Sequence, residues 1–241
     1  MDHLLSYDVP VIFVGDMGQL EPIGDDPNLM ANPRIVLRQI HRQAQDSPII
    51  EFSRKVRTGE DFDYTEGDKL RIIDAQLNNA MDFAPDVDQV ICGFNNTRQW
   101  LNGEIRDYKG FQGQLVVGDK MVCLRNNVLL GVFNGMLATV EKIHDRLKSA
   151  YICDMRTDDD RLLERLNIST ALIGSKSMPE NFRAEKGETY WTYGYALTCH
   201  KCQGSEWENT LVIHEIHPNW SQARWAYTAI TRASDKLIYM I

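Results

Sequence analysis

Two textures alternate along these 241 residues, and the change between them restricts the fold more than any other feature. In the outer parts, short apolar runs end in polar residues or alternate with helix-like patterns: VPVIFVGD (Val9 to Asp16), Leu70 to Ile73, Val90 to Phe94, Thr210 to Ile213 and Lys236 to Ile241. A run that is apolar at nearly every position suits a strand buried on both faces, as parallel sheets require. Polar residues at its carboxyl end stand where open α/β sheets place ligands. From about Gln114 to Tyr193 the pieces LVV, KMVCL, MLATVEKI and AYICDM are instead punctuated by Gly118, Asn126, Asn127, Asn134 and Gly135, before a polar tail, Lys176 to Gly187. Frequent short strands with Asn and Gly turns predict a small β-rich module set into an α/β layer.

Helix signals fill the outer parts. Ser47 can cap a helix with Pro48 at its first position, apolar residues at Ile49, Phe52 and Val56 mark one face, and Arg54, Lys55 and Arg57 precede Gly59 at the exit. Further helices are expected over Thr97 to Tyr108 and Gln222 to Arg232.

Composition excludes some classes. With 43% hydrophobic and 25% charged residues the chain should bury a core, and no apolar run approaches the roughly 20 residues that span a bilayer. Asp2, His3 and Asp8 stand where a secretory signal would be basic, and five scattered cysteines fit a reducing compartment, so an intracellular, cytoplasmic protein without a membrane partner is expected. The net charge of −8 argues against coating nucleic acid by bulk electrostatics, yet permits a groove lined by a few cations.

The stretch YALTCHKCQGSEWENT (Tyr195 to Thr210) admits two readings. Cys199, Cys202, His214 and His217 approach a zinc-finger spacing, but the central gap and the His spacing are both short, and Leu211 to Ile213 reads as a buried strand where a finger needs a helix. The Cys-x2-Cys lacks the strand and helix that flank a thioredoxin-like redox site. No metal site is therefore assigned. The other reading is a polar loop, turning at Gly204, that handles phosphates or nucleic acid. A phosphate loop for a nucleotide is nearest at Gly113 to Lys120, GQLVVGDK, where Asp119 stands in place of the lysine and an apolar strand replaces the amide cradle; it is rejected. No apolar run ends in an Asp-Glu pair, so no complete ATP site is visible.

Four stretches in order, VGDMGQLEPIG (Val14 to Gly24), LRQIHRQAQDSPII (Leu37 to Ile50), YALTCHKCQGSEWENTLVI (Tyr195 to Ile213) and WAYTAITRASDKL (Trp225 to Leu237), resemble the later blocks of superfamily 1 DNA helicases, in particular the Dda/RecD-like (exodeoxyribonuclease V alpha-like) branch. A fifth, GDKMVCLRNNVLLGVFNG (Gly118 to Gly135), resembles that branch's entry into an SH3-like β module. The resemblance implies a RecA-like parallel sheet divided as a remnant of a first RecA-like domain (1–33), the first part of a second (34–113), the inserted module (114–193) and the second domain's remainder (194–241).

It also implies roles. ATP in such motors lies between two RecA-like domains, and Arg42 and Arg232 would meet the charge developing on its γ-phosphate, where a planar guanidinium can bind two oxygens. Gln19 would sense that phosphate or orient the attacking water, Asp16 would shape the same loop, and Glu206, beside Gly204, would accept from the nucleotide's ribose. Thr198, His200 and Lys201 would touch the backbone of single-stranded DNA without reading its sequence, with Asn96 and Arg98 as further phosphate contacts. The phosphate loop and the Mg2+ site that ATP needs would lie on a separate polypeptide, and the chain alone would show negligible ATPase. Movement would run from 5′ to 3′. A non-catalytic nucleic-acid-binding or assembly module retaining the fold is the alternative.

Overall fold

A computed structural model describes residues 6–21, 32–36, 47–176, 179 and 182–241. Eleven strands among them form two sheets. The first has the order β1 (Thr65–Glu66), β2 (Leu70–Ile73), β11 (Ala233–Met240), β10 (Trp207–Ile213), β3 (Gln89–Cys92) and β9 (Ala196–Thr198), parallel throughout except at the β1–β2 hairpin. Its inner strands are apolar on both faces because both are covered. Leu70, Ile72, Ile91, Val212, Leu237 and Tyr239 pack with helices α1 (Pro48–Thr58) and α3 (Gln222–Ile230). Their neighbours Ile73, Val90, Cys92, Leu211 and Met240 pack with helix α2 (Asn95–Tyr108) and the short turns at Ala80 and Ala84.

The second sheet, inserted between α2 and β9, is wholly antiparallel: β7 (Leu162–Ser169), β6 (Ala150–Thr157), β5 (Leu137–Arg146), β4 (Lys120–Cys123) and β8 (Trp191–Tyr193). It has its own core around Met121, Val140, Cys153, Met155, Ile168 and Trp191. In β6, Tyr151, Cys153 and Met155 face that core while Asp154 and Arg156 are half-exposed, the alternation a one-sided sheet demands. The mixed α/β fold with a parallel sheet is thus observed.

Several expectations change. Val9 to Val14 is not a strand: Ile12 and Val14 are 86% and 90% exposed, because no described strand pairs with this run, and a parallel strand needs neighbours to satisfy its backbone. Leu115 to Val117 is a loop with Leu115 buried. Strand β7 escaped the sequence pattern because adjacent Glu164 and Arg165 are both exposed, and Arg165 adopts φ +49° opposite a register shift in β6. Ser47 makes no side-chain cap, although α1 begins at Pro48 and ends at Gly59 as expected, with Gly59 at φ +74°.

Candidate nucleotide and nucleic-acid edge

Parallel strands end on one side, so the chain after β3, β9 and β10 emerges at a common edge. After β10, the Glu215 carboxylate accepts from the amides of Gly93 (2.6 Å) and Phe94 (2.8 Å) and from the Thr97 hydroxyl, binding the start of α2 to its neighbour. A side chain at Gly93 would collide with the Trp220 ring, only 2.8 Å from where its Cβ would stand. Trp220 lies 5.0 Å from Phe94, 5.1 Å from His217 and 6.4 Å from His200 between ring centroids, so one aromatic cluster spans all three strand ends. Burial lowers the His200 pKa and favours the neutral ring.

Thr198 closes β9, and its carbonyl accepts from the amides of Lys201 (2.8 Å) and Cys202 (3.1 Å), winding the next residues into a tight turn. Gly204 follows at φ +88°, where a side chain would be strained. Lys201 reaches out of the turn to Asn134 Oδ1 in the loop between β4 and β5, and burial lowers its pKa. Beneath the turn Cys199 and Cys202 are buried thiols; burial holds the Cys199 pKa well above its ordinary value. The His214 ring stacks on Trp225 at 5.5 Å, and among the described residues no group of three or more His, Cys, Asp or Glu is placed to hold a metal.

Three further segments meet at the end of α3. The Asp16 side chain accepts from the Gly18 amide (2.8 Å), Gln19 Nε2 (3.3 Å) and the Tyr227 hydroxyl (3.1 Å), curling residues 16–20 against the helix. Burial raises the Tyr227 pKa, and the Asp16 charge adds to it. The Leu20 amide donates to Thr228 Oγ1 (2.8 Å), Gln203 Nε2 donates to the Leu20 carbonyl (2.9 Å), and Arg224 pairs with Glu21. Arg232 completes the junction: Nε donates to the Thr228 carbonyl (3.0 Å), Nη1 to the Ser205 carbonyl (3.1 Å) and Nη2 to Thr231 Oγ1 (3.0 Å), leaving the residue 3% exposed. Leu20, next to Gln19, and Arg232 therefore meet at Thr228, and the 203–205 turn bonds to the same two residues, Gln203 to the Leu20 carbonyl and the Ser205 carbonyl to Arg232.

Arg42 lies outside the described residues. Glu206 and Gly204 are exposed beside the junction, and Asn96 is exposed in the first turn of α2. Arg98 does not share that exposure: it is 7% exposed and donates from Nε to Asn95 Oδ1 (3.3 Å) and from Nη2 to the carbonyls of Ser175 (3.1 Å) and Lys176 (2.7 Å). These bonds fasten α2 to the segment between β7 and β8. Tyr227, Thr228 and Gln203 were not singled out for function in the sequence, although they sit inside the quoted blocks; Glu215 and Trp220 carry no motif at all.

Comparison with known proteins adds to this geometry. Residues 193–240 match the family described as UvrD-like helicase C-terminal domain. The chain is similar to the ATP-dependent RecD2 DNA helicase of Deinococcus radiodurans, 29% identical over 253 residues, covering 94% of this chain and 32% of the relative. It thus spans about a third of that relative's length. Among solved structures it resembles Pif1 helicase from Candida albicans (TM-score 0.60, 16% identity, 94% of this chain and 62% of that one). It also resembles Pif1 helicase from Bacteroides in complex with ADP-AlF3 and ssDNA (TM-score 0.55, 17% identity, 93% and 60%). At such identities the structural likeness speaks for the fold alone.

Proposed function

We propose that this chain, a carboxyl-terminal portion of a superfamily 1 helicase, supplies the second face of an ATP site and a grip on single-stranded DNA to a 5′ to 3′ DNA helicase. In this reading residues 34–113 and 194–241 form a second RecA-like domain, 114–193 an SH3-like module, and 1–33 the edge of a first domain. The phosphate loop and the ligands of Mg2+ come from residues outside these 241.

The observation that carries the reading is the junction of Leu20, Thr228 and Arg232, which ties the Gln19 loop, the 203–205 turn and the end of α3 into one unit. Groups that must answer together to one phosphate need such a linkage. Gln19 would face the terminal phosphate within the loop Asp16 shapes, Glu206 the ribose, and Arg232 with Arg42 the developing charge. The 198–204 turn shares a chain segment with this junction, so Thr198, His200 and Lys201, with Asn96, can sense a DNA backbone and pass its presence to Ser205 and Arg232. Arg98 we assign to the fold.

One observation favours a second reading, a binding or assembly module without catalysis: the Arg232 guanidinium is buried and bonded to three neutral acceptors. The experiment that separates them mixes the chain with a polypeptide carrying a phosphate loop and measures DNA-stimulated ATPase. Helicase function requires activity that Arg232→Ala lowers on the order of a thousandfold. A mixture that stays silent, or that ignores the substitution, leaves the binding module.

A further inference from the structure

Helix α1 carries three cations in its last two turns, and they have different surroundings. Arg54 is paired with Glu60 and Lys55 with Glu51, whereas Arg57 forms no ion pair among the described residues. Arg57 is exposed and rests its guanidinium 5.6 Å over the Tyr227 ring, a cation–π contact that orients the charge without neutralising it. That ring is the one whose hydroxyl holds Asp16. Across it lies Gly18, next to Gln19, and the packing is close: a Cβ on Gly18 would stand 3.0 Å from Tyr227 Cε1 and 3.1 Å from Arg57 Cδ. The missing side chain is what lets the stem of Arg57 lie against the loop.

Two guanidinium groups thus flank the Gln19 loop. Arg232 is 3% exposed with its donors spent on Thr228, Ser205 and Thr231, while Arg57 is exposed and, beyond a hydrogen bond to the Tyr227 side chain, keeps donors for a ligand. The nearby carboxylate of Asp16 is exposed but accepts from the Gly18 amide, Gln19 Nε2 and the Tyr227 hydroxyl, which blunts its repulsion of an anion. We propose that Arg57 is a phosphate-binding residue of the nucleotide site, held against the Gln19 loop by Tyr227 and Gly18, and that its ligand is the terminal phosphate of a nucleoside triphosphate. The inference rests on the reading of Gln19 as the residue that faces that phosphate.

Inorganic tripolyphosphate titrated calorimetrically into the purified chain tests it without any catalysis. Arg57→Gln should weaken binding about tenfold, the worth of one charge-assisted contact, while Arg54→Gln on the same helix should leave it unchanged. Binding that Arg57→Gln leaves intact, or no binding by the unsubstituted chain, overturns the assignment. Failure here is separable from failure of the helicase reading: ATPase restored by mixing and sensitive to Arg232 but not to Arg57 removes this inference alone. Tripolyphosphate binding that depends on Arg57 without any restored ATPase removes the helicase reading alone.

Discussion

The carboxyl edge of the parallel sheet and the seam between the two sheets are both rich in polar residues, and they treat them oppositely. At the seam every group is spent inside the protein. Asp119, 0% exposed, accepts from Arg106 Nε (2.7 Å) and Nη2 (3.0 Å), the Tyr195 hydroxyl (3.0 Å) and the Val116 amide (2.8 Å). Gln89 donates to the carbonyls of Gly194 and Tyr195, and Lys120 to the Asp88 carbonyl and Gln89 Oε1. At the edge, Thr198, His200 and Lys201 are half-buried and Asn96 and Glu206 exposed. Buried, saturated polar groups cement an architecture; partly exposed ones at strand ends remain able to meet a ligand.

The largest expected effect lies at the seam. Asp119→Ala leaves the Arg106 charge buried without its partner and should cost about 3–5 kcal/mol, read as a lowered midpoint of urea unfolding. Replacing both members, Arg106→Met with Asp119→Leu, should recover much of that loss, since the remaining groups are then neutral. A single substitution that costs under about 1 kcal/mol, the range of an exposed pair, would show that the seam is wetter than its burial implies and dissolve the contrast.

A smaller effect distinguishes the edge by pH. His214, stacked on Trp225 and near Tyr239, has its pKa lowered by burial, only partly offset by its contact with Gln222. The unfolded imidazole titrates near about 6.5, so just below that pH the unfolded state binds more protons than the folded one. Stability should therefore be complete above about pH 6.5 and decline as pH falls, until the folded pKa is passed. His200 contributes with the same sign. His214→Phe keeps a stacked ring and should flatten the decline by at most about 1 kcal/mol, measured as unfolding free energy at pH 7.5 and 5.5. An unchanged slope would assign the pH dependence to other groups.

The same division decides what could be read from sequence. The apolar parts of strands, Val90 to Cys92 in Gln89–Cys92 and Thr210 to Ile213 in Trp207–Ile213, were legible because local composition sets their burial, and Gly59 marked a helix end because its conformation favours glycine. Val9 to Val14 misled for the same reason: its composition is that of a buried strand, but burial needs a neighbour that the run itself cannot specify. Arg98 stands in a helix start beside Asn95 and Asn96, where sequence alone cannot distinguish a phosphate ligand from a bolt; in the structure its Nη2 meets the distant carbonyls of Ser175 and Lys176, which no local pattern announces. Gln19 and Arg232 stand in separate blocks, and the link between them, Thr228 accepting from both the Leu20 amide and the Arg232 guanidinium, is visible only in three dimensions.

The smallest effect comes from the same chemistry as the largest. On the outer face of the antiparallel sheet Arg156 forks onto Glu141 and also reaches Asp160, with Arg156 and Glu141 side chains 39% and 37% exposed. Its geometry parallels the Arg106–Asp119 pair, since two nitrogens of one guanidinium meet two oxygens of one carboxylate. Water screens the exposed pair, and either partner can be resolvated when the other is removed. Glu141→Gln should therefore cost roughly 0–1 kcal/mol and lose even that at high salt, whereas Asp119→Ala should be nearly salt-independent. The contrast between the two substitutions, followed from low to molar salt in the same unfolding assay, measures what burial adds to an otherwise equal bond; equal costs would mean that hydrogen-bond geometry, not exclusion of water, is what holds the two sheets together.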